Sequence, residues 1–337
     1  MNIARPSLDP ARSSAVLMAC PGWAATPLVS AEIGGKRLLI KDETARMGLG
    51  AFKAAGGIYA VARLIEAGMG SPLPAEPFRD SSVREAAGGL TFICASAGNH
   101  GMAVAEGARL LGAKAQVVLS DTVPESFAER LRTREAEVIR AGATYEDSIE
   151  AAIQMAADTG AIHLADGSWP GYTEPPRLVM EGYTVIAEEM REQLTERDEW
   201  PDHVYLQAGV GGLAGAMAEM MRRNWPVQPK ITVVEPEAAP CLKASMEAGE
   251  MVTVEGPVSE MGRLDCKTPS MLAFDILRET ADDFVTVSEE QAADAVSAAR
   301  AAGFGTTPSG AAGLAAALSN DDARPLVILS EGTGDDD

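Results

Sequence analysis

The sequence predicts an α/β protein with mostly parallel, twisted sheets flanked by helices. Short apolar runs alternate with Ala-rich helical patterns along the 337 residues. Such alternation implies βαβ crossovers and parallel pairing. The runs are continuously apolar rather than alternating, as strands are when helices cover both sheet faces. Hydrophobic residues make up 46% of the chain, and its length suits two domains or one large α/β unit.

Strands are expected at residues 37–40, 90–95, 115–119, 203–206, 231–234 and 326–329. Helices are expected at 54–67, 101–111, 149–158, 177–196, 213–224, 289–302 and 311–318. Residues 71–89 hold Pro72, Pro74 and Pro77 among charged residues and read as a surface loop. Residues 170–176, Pro-Gly-Tyr-Thr-Glu-Pro-Pro, are a second break and a candidate hinge or active-site loop. The tail Asp335-Asp336-Asp337 reads as solvated. Residues 15–20, with Arg5 and Arg12 upstream, faintly mimic a signal peptide. They are few and are broken by Pro21, so they read as part of the fold. No repeat or low-complexity tract interrupts the chain.

The net charge is −21, from 28 Lys+Arg against 49 Asp+Glu. That field repels phosphate backbones and anionic lipid, so neither nucleic acid nor a membrane is expected as partner. An anionic substrate must therefore be met by a local donor cluster. The four cysteines (Cys20, Cys94, Cys241 and Cys266) form no C-x-x-C pair. With three histidines and no ligand spacing, no metal site is expected. The cytoplasm is the default compartment, and no apolar run reaches membrane-spanning length.

Three segments carry chemistry. Lys53 stands between a Gly-rich turn, Gly48-Leu49-Gly50, and the apolar start of a helix. Burial disfavours an ammonium and lowers its pKa, and a lysine that is sometimes neutral is a nucleophile toward aldehydes. The bland alternative is a lysine that snorkels to water. Next, Gly209-Val210-Gly211-Gly212-Leu213-Ala214-Gly215 joins a strand to a helix. Such amides can hold a phosphate at the helix N-terminus. A bare tight turn and a nicotinamide dinucleotide site are the rivals. Glu235 follows Gly211 at about the distance of a ribose-binding acid. Third, Ser96-Ala97-Gly98-Asn99-His100-Gly101 also opens a helix. Ser96 could cap that helix or meet a carboxylate.

In this order, Ala51-Phe52-Lys53, Ser96–Gly101 and the glycine loop resemble the fold-type II pyridoxal-phosphate enzymes, typified by the tryptophan synthase β chain and the threonine and serine dehydratases. Thr26-Pro27-Leu28 before the first strand is similar as well. The likeness runs from about residue 25 to 332. Several further segments resemble the diaminopropionate ammonia-lyase subgroup. They are Lys41-Asp42-Glu43, Gly48-Leu49, residues 166–169, Gly171-Tyr172, Met180-Glu181-Gly182-Tyr183 and Leu264-Asp265-Cys266-Lys267-Thr268-Pro269-Ser270. Where that subgroup carries an aspartate before Gly98, this chain has Ala97, as many dehydratases do.

The resemblance implies pyridoxal 5'-phosphate as cofactor. Lys53 would hold it covalently, Phe52 would flank it, and Asn99 would bond its ring hydroxyl. Gly209, Val210, Gly211, Gly212 and Leu213 would hold its phosphate. Ser330, ending the last strand, would face the pyridine nitrogen, and a neutral hydroxyl there favours β-elimination over transamination. Ser96, Ala97, Gly98 and His100 would line the substrate site, with His100 packing rather than acting as base. Lys53 and Asp166 would be the catalytic pair. The implied reaction is α,β-elimination of ammonia from 2,3-diaminopropionate or a relative, giving pyruvate and ammonia. The alternative is dehydration of serine, threonine or 3-hydroxyaspartate. The implied architecture is a large cofactor-binding domain, 1–60 and 161–337, and a small mobile domain, 61–160, closing over substrate. A homodimer is implied by the same analogy.

Overall fold

Two sheets organise the chain, and the three chemical segments all lie where one faces the other. The computed structural model describes residues 7–333; Arg5 and the Asp335–Asp337 tail lie outside them. The chain enters through α1 (Pro10–Met18), capped by Asp9. An antiparallel pair follows, β1 (Leu28–Ile33) and β2 (Lys36–Asp42). Then come α2 (Lys53–Met69), α3 (Ser81–Ala87), β3 (Thr91–Cys94), α4 (Asn99–Leu111), β4 (Lys114–Leu119), α5 (Glu125–Arg132), β5 (Glu137–Arg140), α6 (Tyr145–Thr159) and β6 (Ile162–His163). The last stretch is α7 (Glu174–Arg197), β7 (His203–Gln207), α8 (Gly212–Asn224), β8 (Lys230–Pro236), α9 (Cys241–Ala248), α10 (Met271–Thr280), β9 (Asp283–Val287), α11 (Glu289–Ala301), α12 (Pro308–Leu318) and β10 (Pro325–Leu329).

The larger sheet has the order β1-β2-β10-β7-β8-β9, parallel except for the β1–β2 pair. The smaller has the order β5-β4-β3-β6 and is wholly parallel. Because β6 pairs with β3, the small sheet runs past residue 160 to His163. The central strands β7 and β10 are buried at every position, which is why their middles, Val204-Tyr205-Leu206 and Leu326-Val327-Ile328-Leu329, are apolar runs. Residues 71–89 are more than a surface loop. The prolines end at Pro77, Asp80 caps α3, and Phe78, Val83 and Ala87 are buried.

The position of Lys53 follows from how α2 crosses α7. A methyl group on Gly182 of α7 would lie 2.6 Å from the Ala55 carbonyl oxygen, and one on Gly56 of α2 would lie 2.3 Å from the Tyr183 ring. The two helices thus meet closer than side chains permit, which holds the N-terminal turn of α2 at a set height. The turn is also tied to the end of β10: Phe52 N–H donates to the Ser330 carbonyl at 3.0 Å, and Gly332 N–H to that of Gly50 at 2.9 Å. Beneath it lies a buried ion cluster. Arg46 bonds Glu43 and Glu189, each at 2.7 Å, and Lys41 bonds Glu189 at 2.7 Å. The Lys41-Asp42-Glu43 segment thereby anchors β2 to α7.

Candidate active site

Lys53 opens α2 with no side-chain cap ahead of it, and its ammonium pairs with the Asp166 carboxylate. Both side chains are about three-quarters buried, with exposures of 21% and 26%. Burial by itself pushes Lys53 down, but the charge of Asp166 and the hydrogen bond to it win, and its pKa stands above the ordinary lysine value. The expectation that burial leaves Lys53 with a lowered pKa is therefore corrected for this state of the protein. Asp166 is the mirror case. Burial works to raise it, and the Lys53 charge, with the hydrogen bond from Lys53, holds it well below the carboxylate range.

Asp166 sits in the loop after β6, and that loop is clamped on both sides. The Tyr172 hydroxyl donates to the His163 carbonyl at 2.8 Å and accepts from Ala165 N–H at 3.0 Å. Tyr172 also stacks on Trp169, with centroids 4.3 Å apart. Residues 170–176 are therefore a tight return into α7, whose first turn takes Pro175 and Pro176. On the other side Ser270 Oγ accepts from Ser168 N–H at 3.1 Å, while Ser270 N–H donates to the Val210 carbonyl at 2.9 Å.

The glycine loop leaves β7 and enters α8 with Gly211 at φ +97°, where side chains are strained. Among the described residues no acceptor takes the N–H groups of Gly211, Gly212 or Leu213. A buried helix start with free amides is suited to hold an anion. A methyl on Gly209 would lie 2.9 Å from Cys266 Sγ. Burial, then the Asp166 charge, pushes that thiol up to about 12, so it is an inert wall rather than a nucleophile. Glu235, the residue a dinucleotide site would need, is unavailable. It is fully buried, and its carboxylate accepts from Leu242 and Lys243 N–H at 2.7 and 2.8 Å, capping α9.

The Ser96–Gly101 loop leaves β3 and enters α4. Gly101 has no freedom to be anything else, because a methyl there would lie 2.0 Å from the Ser96 carbonyl oxygen. Ser96, Ala97, Gly98 and Asn99 are half-buried. The Asn99 amide donates to Glu331, which also accepts from Thr307 Oγ1 at 2.5 Å. His100 is buried. Its Nε2 meets the Leu164 carbonyl at 2.8 Å, and its Nδ1 has no partner among the described residues. Burial lowers its pKa, so the ring is neutral and supports the Asp166 loop from below. Ser330 is buried and meets Gln207 Nε2 at 3.0 Å.

The structure brings Lys53, Asp166, Cys266, His100 and Tyr183 into one electrostatic neighbourhood. Phe52 packs on the Tyr183 ring at 4.9 Å rather than standing free. Sequence reasoning assigns no role to Glu331, and Tyr183 enters it only within the Met180–Tyr183 segment. A glutamate directly after an apolar strand is one available signal for the first. Tyr145, at the start of α6, lies within electrostatic reach of Lys53, Asp166 and Cys266.

The chain is similar to known proteins. The family model for pyridoxal-phosphate dependent enzymes matches residues 20–330. Diaminopropionate ammonia-lyase of Escherichia coli K12 is 34% identical over 280 residues, covering 81% of this chain and 70% of that protein. An L-threonine ammonia-lyase of Geobacter sulfurreducens is 32% identical over 222 residues, covering 65% of this chain and 51% of that protein. The crystal structure of Escherichia coli diaminopropionate ammonia lyase in complex with D-serine superposes with a TM-score of 0.86. It is 30% identical, covering 99% of this chain and 92% of that one.

Proposed function

The chain belongs to the pyridoxal-phosphate-dependent enzymes, and within them we propose that it eliminates ammonia from 2,3-diaminopropionate or a closely related β-substituted amino acid. The products are pyruvate and ammonia. The observation that carries this reading is the Lys53–Asp166 pair beside the glycine loop. The likeness to diaminopropionate ammonia-lyases supports it.

The residues present fit the cofactor. Free amides of Gly211, Gly212 and Leu213 await an anion at the N-terminus of α8, and Gly209 and Val210 complete that loop. Lys53 supplies the amine for the aldehyde. Asn99 supplies an amide, and Ser330 a neutral hydroxyl backed by Gln207. Phe52 fixes the turn that carries Lys53. When bound, pyridoxal phosphate supplies the electron sink that acidifies Cα.

This chain's own residues then do the following. The Ser96–Gly98 loop receives the substrate carboxylate, and His100 props the Asp166 loop. With Lys53 holding the cofactor, its ammonium would no longer pair with Asp166, whose half-buried carboxylate would be free to face the substrate. A β-ammonium group restores that charge pairing; a hydroxyl does not. Lys53, when released, removes the Cα proton on one face, and Asp166 stands to do so on the other. The Cα–H electron pair becomes the Cα–Cβ π bond, and the Cβ–N bond breaks. The β-ammonium nitrogen leaves with the electron pair of that bond as ammonia. The unsaturated amine that remains adds water to give pyruvate and a second ammonia.

One observation favours a second reading. Ala97 occupies the place of an acid, as in many dehydratases, and the likeness to an L-threonine ammonia-lyase points the same way. That reading makes the enzyme a dehydratase of serine, threonine or 3-hydroxyaspartate. The deciding experiment is 2-oxo acid release from L- and D-2,3-diaminopropionate, L- and D-serine, L-threonine and 3-hydroxyaspartate. Pyruvate from diaminopropionate well above the hydroxy amino acids supports the lyase. Turnover of a hydroxy amino acid alone removes it.

The reading includes a mobile small domain, 61–160 extended to β6, that closes on substrate; substrate protection from limited proteolysis tests it. It also includes a homodimer in the cytoplasm, for which size-exclusion chromatography and cell fractionation are the tests. Among the described residues no helix is long and apolar enough to cross a membrane.

A further inference from the structure

We infer that Arg263 binds the carboxylate of the amino-acid substrate, an inference that rests on reading this site as one that acts on amino acids. Arg263 lies just ahead of the Leu264–Ser270 segment, which packs on the glycine loop. Its guanidinium reaches across to the other sheet's loop. A methyl on Gly98 would lie 3.0 Å from Arg263 Nη1 and 3.4 Å from Cζ. The guanidinium therefore rests on the Ser96–Asn99 loop, in the space that Gly98 leaves bare.

The group is held but not satisfied. The Phe127 ring lies 5.9 Å from Cζ and supports the fork. The Arg263 backbone N–H donates to Ser309 Oγ at 3.1 Å, which fixes the main chain. Yet the guanidinium makes no hydrogen bond among the described residues. Its one ion pair there is loose, Nε to Glu331 at 3.5 Å. Glu331 itself is occupied by Asn99 and Thr307. Other arginines here are tied down: Arg46 bonds two carboxylates, and Arg140 bonds Glu125 and two carbonyls.

Arg263 is 40% exposed on its side chain and lines a cleft of about 90 Å³ with Asn99, Phe127 and Thr307. A planar fork with free Nη donors matches a carboxylate in two parallel bonds. In a chain of net charge −21, an anionic ligand needs such a local cation. Arg263 from one side and the Ser96–Gly98 donors from the other would grip the carboxylate together.

The test is calorimetry on the cofactor-loaded protein with alanine, which has no β leaving group, and with alaninamide, which lacks the carboxylate charge. The wild type, Arg263→Ala and Arg263→Lys are compared using the better-bound enantiomer. Removing the charge-assisted hydrogen bonds in Arg263→Ala is expected to weaken alanine binding about 10- to 100-fold. Arg263→Lys should fall between, because a point charge keeps attraction but not the fork. Alaninamide affinity should stay within about twofold. Unchanged alanine affinity overturns the inference. So does an equal weakening for alanine and alaninamide, which is what a merely structural arginine would give. Failure of the wild type to release pyruvate from diaminopropionate overturns the lyase reading instead, and leaves this comparison in force.

Discussion

Asp166→Asn separates the charge of the Lys53–Asp166 pair from its shape. Asparagine is nearly isosteric and can still accept from Lys53 Nζ, so packing is kept and only the counter-charge goes. In the wild type, burial pulls the lysine pKa down and Asp166 more than compensates. Removing an opposite charge at contact distance lets a pKa move by about 1–3 units. Each unit is tenfold in the neutral fraction. Capture of the cofactor aldehyde is first order in neutral amine. At neutral pH, the apo variant should therefore bind pyridoxal phosphate about 10- to 1000-fold faster than the wild type. Stopped-flow growth of visible absorbance across neutral to alkaline pH measures this, and the plateau of the log rate should move to lower pH. The sign for stability is opposite. Asp166 is depressed and Lys53 raised. Their pairing stabilises the fold above the ordinary carboxylate range. It weakens as acid protonates Asp166, and again in strong alkali as Lys53 loses its proton. Capture rates equal within about twofold across the pH range would falsify the argument that Asp166 holds the lysine protonated.

Glu189→Gln should destabilise the protein by about 3–5 kcal/mol in urea unfolding, because Arg46 and Lys41, both fully buried, lose a shared counter-charge; a loss below about 1 kcal/mol contradicts the account of the cluster. Glu235 is raised to about 7, chiefly by burial and partly offset by its two backbone bonds, so its neutral form stabilises the fold at low pH and that contribution, on the order of 3 kcal/mol, is lost as pH rises through about 7. Glu235→Gln should flatten the decline in melting temperature between about pH 4.5 and 7, and an unchanged profile counts against it. Ser270→Ala leaves the Ser168 amide without its acceptor and should cost about 1–3 kcal/mol; a chemical-denaturation midpoint equal to wild type would show that the bracket is not needed.

The central strands were legible because burial on both faces writes their middles as apolar runs, β7 and β10 above all. The edges were not. β1 is buried only at its ends, alternates half-buried and exposed positions between them and carries Glu32, and every residue of β9 but the last is only half-buried. Neither resembles a core strand to a reader looking for continuous hydrophobicity. α3 was hidden by the prolines ahead of it, although Asp80 followed by Ser81-Ser82-Val83 is a legible cap. In the site, Lys53 and the two loops stood out because each needs unusual residues at a chain turn. Glu331 and Arg263 stood out less, because charged residues near loops are common. Their roles depend on partners more than a hundred residues away, Asn99 and Gly98, and a linear pattern cannot show such pairing.

The same dependence on distant partners holds for the Leu264–Ser270 segment, which stands out in the sequence only by its resemblance to the ammonia-lyase subgroup. Asp265 pairs with Lys267 at 2.6 Å, and Lys267 Nζ also donates to the Ala238 and Pro257 carbonyls. Its charges thus fold the segment back on itself and dock it. The docked backbone presents Cys266 to Gly209, and Ser270 to both Val210 and Ser168. The glycine loop and the Asp166 loop also approach one another directly: a methyl on Gly167 would lie 4.0 Å from the Val210 side chain, and one on Gly212 4.0 Å from the Asp166 carbonyl oxygen. The bracket adds short contacts at Cys266 and Ser270 that fix the glycine loop and the Asp166 loop relative to one another. A lyase that tells a β-ammonium from a β-hydroxyl needs that rigidity, because a charge pairing misplaced by an ångström loses most of its discrimination. The segment's chemistry is therefore positional: its charged side chains serve its own fold, and its backbone serves the site.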